Sequence, residues 1–286
     1  MKTKIHSHNT FFTLIIQVLF LFSIPAYSQE NAVKLVYNYP AGTPVRYQTI
    51  SKVIQDMDVN GQSMVVNVLS VLGCTVKSIG NADNNLVLEV TIDTLSQTID
   101  SPGGMTGGAI RDAMGKSFSM KISPEGKETD MSGAEQVSYK TDDGTTTTAA
   151  QSFNEFFPNL PDSAINPGYT WSSTDTLTAK TSAMTMIMVI KSDNKFEGYE
   201  EFNGTKCAKI TYTLLGSRNM KTQTQGMDII VKGPLTGTGE LFFSPEKGYF
   251  MRNVVKTRMT GQLEITSPES MSFPVIMDMN STTEVK

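Results

Sequence analysis

The chain has 286 residues, 24 Lys and Arg against 28 Asp and Glu, and a net charge of −4. Its charges are dispersed without a basic run, which argues against nucleic acid as a partner, because phosphate binding needs clustered Lys and Arg. Its two histidines, His6 and His8, both lie in the N-terminal leader described next. A chain trimmed of that leader has no Ser-His-Asp or Cys-His catalysis and no His-ligated metal site.

The leader reads as an export signal. Lys2 and Lys4 start it, an apolar run spans Phe11 to Ile24, and Ala26-Tyr27-Ser28 has the small-x-small form of a cleavage site. The expected cut follows Ser28, giving a periplasmic or secreted protein. The apolar run is short for a membrane span, and no later stretch approaches the ~20 residues a span needs. Residues 29–286 are expected to form one β domain.

From there the chain reads as strands joined by turns. Lys34 to Tyr39 is a short predicted strand closed by Pro40-Ala41-Gly42. Val45 to Asp56 and Ser63 to Lys77 form a hairpin about Asn60-Gly61, a pair that favours a tight turn. In Leu86 to Asp93, apolar Leu86, Leu88, Val90 and Ile92 alternate with Val87, Glu89 and Thr91, the pattern of a strand with one buried face. Ser101 to Lys116 is broken by Gly103-Gly104 and Gly107-Gly108 and is read either as a short helix around Ala109 to Met114 or as a Gly-rich loop. Ser117 to Ile122 then runs into Ser123-Pro124-Glu125-Gly126, where Pro presets φ and Gly supplies the reversal.

Ser132 to Ala164 joins two halves. Within it Ala149, Phe153, Phe156, Phe157 and Leu160 recur at helical spacing, predicting a helix that Pro158 ends and that packs on a sheet face. The second half repeats the order of the first. Asn166-Pro167-Gly168 precedes Tyr169-Thr170-Trp171, and Thr236 to Phe243 meets Ser244-Pro245-Glu246 followed by Gly248. Two repeats, about 34–131 and 166–286, joined by a helical linker of about 132–165, are therefore expected. Within the second repeat, Ala183 to Lys191, Ile210 to Leu214, Tyr249 to Ile265 and a final run from Met271 to Asn280 alternate like half-buried strands. The fold class is mainly β: one long curved antiparallel sheet, half-barrel or barrel-like, with one or two short helices packed on it.

Candidate chemistry is sparse. Asp142-Asp143 and Glu200-Glu201 are neighbours in sequence, and neighbours on a strand point to opposite faces, so neither makes a carboxylate pair by spacing. Asn81, Asp83 and Asn85 alternate like calcium ligands, but Leu86 and Ile92 stand where the calcium loop needs Gly and Glu. Cys74 and Cys207 are either a disulfide or two small buried side chains. No catalytic residue, metal site or cofactor is expected. Met184, Met186 and Met188 share one strand face, as do Met271, Met277 and Met279. Flexible, polarisable Met suits either an adaptable apolar cavity or an ordinary core.

The leader, Tyr39-Pro40-Ala41-Gly42, Phe157-Pro158-Asn159-Leu160-Pro161 and the late Ser-Pro-Glu hairpin together resemble a family of exported Bacteroidota proteins of unknown function. The resemblance covers most of the mature chain, but its motifs are structural turns and carry over no functional residue. More loosely, a curved sheet with a helix on it resembles the half-barrels of periplasmic lipoprotein carriers, which hold acyl chains between sheet and helices. Together with the methionine faces and the predicted helix, that resemblance points to a non-enzymatic exported protein that binds an apolar ligand, a lipid or acyl chain, between the sheet and the Ala149–Leu160 helix; Phe153, Phe156 and Phe157 of the helix and Met184, Met186 and Met188 of the strand are the candidate contacts. The alternative is a structural or interaction protein of the bacterial envelope that binds another protein or a glycan.

Overall fold

A computed structural model of the chain describes residues 32–286 except 60, 142, 143, 145, 181–183, 225, 268 and 269. The expected export signal, its cleavage site and Asp142-Asp143 lie outside the described residues. Among the described residues no helix is long and apolar enough to cross a membrane.

The alternating runs extend further than their clearest apolar cores. The first half holds β1 (Pro44–Val59), β2 (Gln62–Ala82), β3 (Asn85–Ser101), β4 (Gly104–Ala109), β5 (Ser117–Ile122) and β6 (Glu128–Asp130). The linker holds α1 (Ser132–Gln136), β7 (Ser138–Lys140), β8 (Thr146–Thr148) and α2 (Ala150–Phe153). The second half holds β9 (Thr170–Lys180), β10 (Met184–Phe202), β11 (Thr205–Thr224), β12 (Met227–Ser244), β13 (Tyr249–Ser267) and β14 (Met271–Val285). Except for the small β7–β8 pair, all strands join one antiparallel sheet of 12 strands in the order β6-β5-β3-β2-β1-β14-β13-β12-β11-β10-β9, with β4 added on β3. The fold is thus mainly β, and among the described residues the sheet is open, with β6 and β9 at its edges.

The two halves meet in the middle of the sheet, where β1 pairs with β14 from Tyr47–Val285 to Met57–Val275. Because side chains alternate across a strand, this register fixes the two faces. Val45, Tyr47 and Met57 of β1 point to the inner face, the one that carries the linker helices, and Arg46, Ile50 and Ile54 point outward.

Three sequence expectations are corrected. Residues 34–39 are extended but do not join the sheet; they thread between the two Ser-Pro-Glu turns, with Tyr37 N–H donating to Pro124 O at 2.7 Å and Asn38 N–H to Gly248 O at 2.7 Å. The Gly-rich stretch after Ser101 is neither a helix around 109–114 nor a loop alone. It turns back as β4, and only Arg111–Ala113 makes a single 3₁₀ turn. The predicted helix over 149–160 stops after the single turn of α2: Asn154 is already extended at ψ 120°, Glu155 takes φ 57°, a left-handed conformation that cannot resume the helix, and Pro158 follows.

The linker nevertheless performs the packing role. Leu160 N–H donates to Glu125 O (2.8 Å) beside β6, while Asn159 Nδ2 lies 3.4 Å from Asp175 Oδ2 on β9. Residues 157–160 thus bridge the two edges of the sheet at this end. The two thiols are free: Cys74 sits in the main core, and Cys207 packs separately with Phe242 and Met251.

Candidate functional site

The inner face of the sheet has three zones. The first, under the linker, is a closed aromatic core. Phe153, Phe156 and Phe157 are all buried in it. Phe156 meets Tyr47 edge-on with ring centroids 5.5 Å apart and Phe250 at 5.9 Å, and Phe153 meets Phe118 at 5.0 Å. Buried phenols are satisfied inside it: Tyr39 Oη and Tyr47 Oη are 2.7 Å apart, and Tyr47 donates to Phe250 O at 3.0 Å. Burial pushes the Tyr47 phenol well above its ordinary range.

The second zone is a polar belt across the middle of the strands. Ser70, Ser51 and Ser281 are cross-strand neighbours on β2, β1 and β14. One step along, Thr49 Oγ1 and Thr283 Oγ1 are 2.9 Å apart, and towards the β9 edge Ser173 Oγ and Ser192 Oγ are 2.8 Å apart.

The third zone, at the far ends of the long strands, is apolar again. Met57, Val231, Met259 and Val275 are buried in a separate cluster, with half-buried Met64, Val66, Met220, Ile229 and Met277 against it. Every one of these residues belongs to a strand; among the described residues no helix contributes to this cluster. Register extends the zone onto β10, where Met186 pairs with Met220 and Met188 with Arg218.

The six candidate contacts therefore do not converge. Phe153, Phe156 and Phe157 fill the first zone. Met184, Met186 and Met188 share the inner face of β10 but lie beyond the belt. Phe196, the core residue of β10, is eight positions from Met188, roughly 26 Å along an extended strand.

Two features escape sequence reading. The first is Arg218 on β11, the charged residue set into the third zone. Its Nη2 lies 3.3 Å from Met220 Sδ and its Nη1 3.9 Å from Met277 Sδ, while its buried Nε has no hydrogen-bond partner among the described residues. Among the described residues no carboxylate pairs with it, and burial lowers its pKa. The second is a group of carboxylates where the linker bridges the sheet edges: Glu128 on β6, Asp175 on β9 and Glu155 between them. Burial, aided by the Asp175 charge, pushes the Glu128 carboxyl up to about 7. These acids come from three distant segments, so no local spacing announces them. Among the described residues no group of His, Cys, Asp or Glu is placed to hold a metal ion. Of the sequence-level acidic pairs, Glu200 is spent on Lys209 at 2.8 Å.

The outer face is different in kind. A depression of about 850 Å³ over β9 to β13 is lined by Ser172, Asp193, Lys195, Thr211, Glu240 and Arg252, among others. Elsewhere on that face Ile50, Ile54, Val65 and Leu69 of β1 and β2 stand exposed.

No protein-family model and no curated protein matches this chain. Among solved structures it is similar to a Bacteroides fragilis protein inferred to be exported, with a YmcC-like fold, at 11% identity over 85% of this chain and 98% of that one, with a TM-score of 0.26. It is also similar to an outer membrane channel from Pseudomonas putida, at 8% identity over 88% of this chain and 98% of that one, with a TM-score of 0.28.

Proposed function

We propose that this protein is an exported, non-enzymatic binder of an apolar ligand, a lipid or acyl chain, taken up on the inner face of its sheet beyond the linker. The observation that carries this reading is the third zone: a Met-rich cluster on the helix-bearing face, contributed to by no helix among the described residues. An acyl chain laid there gains ~25 cal/mol for each Å² of apolar surface removed from water, and unbranched Met side chains adapt to its shape. The aromatic zone, in contrast, is already filled by the protein's own rings and serves as the rigid end of the trough.

The test is native mass spectrometry of the protein purified from its own envelope fraction, followed by organic extraction. A bound mass that extracts as a lipid is the expected result. A clean apo mass, together with no uptake of a neutral dye such as Nile red, overturns the reading. It would favour the second one, an envelope interaction protein, for which the exposed Ile50, Ile54, Val65 and Leu69 on the outer face supply the apolar surface.

A further inference from the structure

The third zone contains a charge that no carboxylate among the described residues answers. A guanidinium presents five N–H donors and no acceptor. Arg218 spends two of its nitrogens on thioether sulfurs, which are weak acceptors, and its buried Nε has no partner among the described residues. A half-buried cation in apolar surroundings is costly unless an anion joins it. The surroundings are arranged to hold the side chain in place. Its cross-strand neighbours are Met188 on β10 and Gly233 on β12. Between Arg218 and Met277 on β14 lie Gly233 and Gly261, packed backbone to backbone: a Cβ at Gly233 would lie 2.7 Å from Gly261 Cα and 2.7 Å from Thr260 O. The missing side chains leave a lane along which the guanidinium extends over β12 and β13.

We propose that Arg218 is the headgroup receptor of the site, and that the ligand is a single-chain carboxylic amphiphile, a long-chain fatty acid, whose carboxylate meets the guanidinium while its hydrocarbon lies on the methionines. The fork of Arg matches a carboxylate with two parallel N–H···O bonds. A single guanidinium balances one negative charge, which fits a monocarboxylate rather than a phosphate carrying more. Met57, Met64, Met186, Met188, Met220 and Met277 supply apolar surface on either side of Arg218. The proposal rests on the binding reading above and adds to it the chemistry of the head.

The experiment compares dodecanoate, dodecanol and dodecylammonium as displacers of Nile red from the full mature protein at pH 8. The three share one chain and differ only in the head. Dodecanoate is expected to bind about 10-fold or more tighter than dodecanol, the scale of a charge-assisted hydrogen bond in a sheltered site, with dodecylammonium weakest. In Arg218→Met the preference for dodecanoate over dodecanol should disappear. Arg218→Lys should keep part of the preference. Equal binding of acid and alcohol to the wild type overturns the headgroup assignment and leaves the apolar-ligand reading standing. Failure of all three to displace the dye overturns both. A preference for the acid that survives in a folded Arg218→Met protein also overturns it. Should Arg218→Met not fold, the wild-type order and Arg218→Lys decide.

Discussion

The ring of Tyr37 occupies the space that a side chain at Gly126 would need: an ideal Cβ there would lie 2.4 Å from Tyr37 Cε2. Gly126 also stands at φ 97°, a conformation that L side chains rarely adopt. The turn of the first Ser-Pro-Glu segment is thereby moulded around residues 35–39. Gly126→Ala should cost about 1–3 kcal/mol through positive-φ strain and collision with the ring. Urea melts of the two proteins measure it; coincident midpoints would show that the turn and Tyr37 can separate freely.

Phe156 touches Tyr47, Phe153, Phe157 and Phe250 and is 8% exposed. Phe156→Ala should cost roughly 3–5 kcal/mol, since the surrounding rings cannot collapse into the space. Met186→Ala, on the half-buried third zone, should cost about 1 kcal/mol or less. Thermal melts of both variants would separate packed core from open surface. Similar losses would mean that the third zone is as tightly filled as the first.

Tyr47 holds two partners with one hydroxyl, the Tyr39 oxygen and the Phe250 carbonyl. Tyr47→Phe keeps the ring but leaves buried polar atoms unanswered, at a cost of about 1–3 kcal/mol. Tyr39→Phe breaks only the outer member of the chain and should cost less. The reverse ranking in denaturant midpoints would refute this ordering of the network.

Glu128 sets a pH dependence with a definite sign. Its carboxyl is pushed up to about 7 in the fold, burial first and Asp175 among the further causes. An unfolded Glu titrates near ~4.3. The folded chain therefore keeps a proton that the unfolded chain releases. This contribution is fully present below about pH 4 and is lost as the pH rises to about 7. Glu128→Gln removes the loss. Its stability should match wild type near pH 4 and exceed it above about pH 7, by an amount on the order of 1 kcal/mol. Parallel stability curves across that range would rule out a buried, protonated Glu128.

Periodicity of two was the most readable signal in the chain. Leu86, Leu88, Val90 and Ile92 are all buried on one face of β3, as their alternation indicates. The aromatic stripe of the linker was legible as burial but not as conformation. Phe153, Phe156, Phe157 and Leu160 are buried, yet only one helical turn forms, because apolar spacing reports which side chains seek the core and not the φ of Glu155. The methionines of β10 were legible as one face. Their separation from the linker phenylalanines was not, since it depends on strands extending far beyond the helices. Arg218 was invisible for a different reason. In sequence it stands between polar Ser217 and Asn219, and only the pairing of β11 with Gly233 and its reach to Met277 place its charge among thioethers.

The pairing at the centre of the sheet has a kinetic consequence. Thr49 and Thr283, whose hydroxyls meet at 2.9 Å, are 234 residues apart. Hairpins on either side of that line can form locally and quickly, but joining them closes a very long loop. Until it closes, β1 and β14 each display a long unpaired edge to any neighbouring chain. The slowest and most aggregation-exposed moment of folding is thus the zipping of the middle of the sheet, not the growth of its rims.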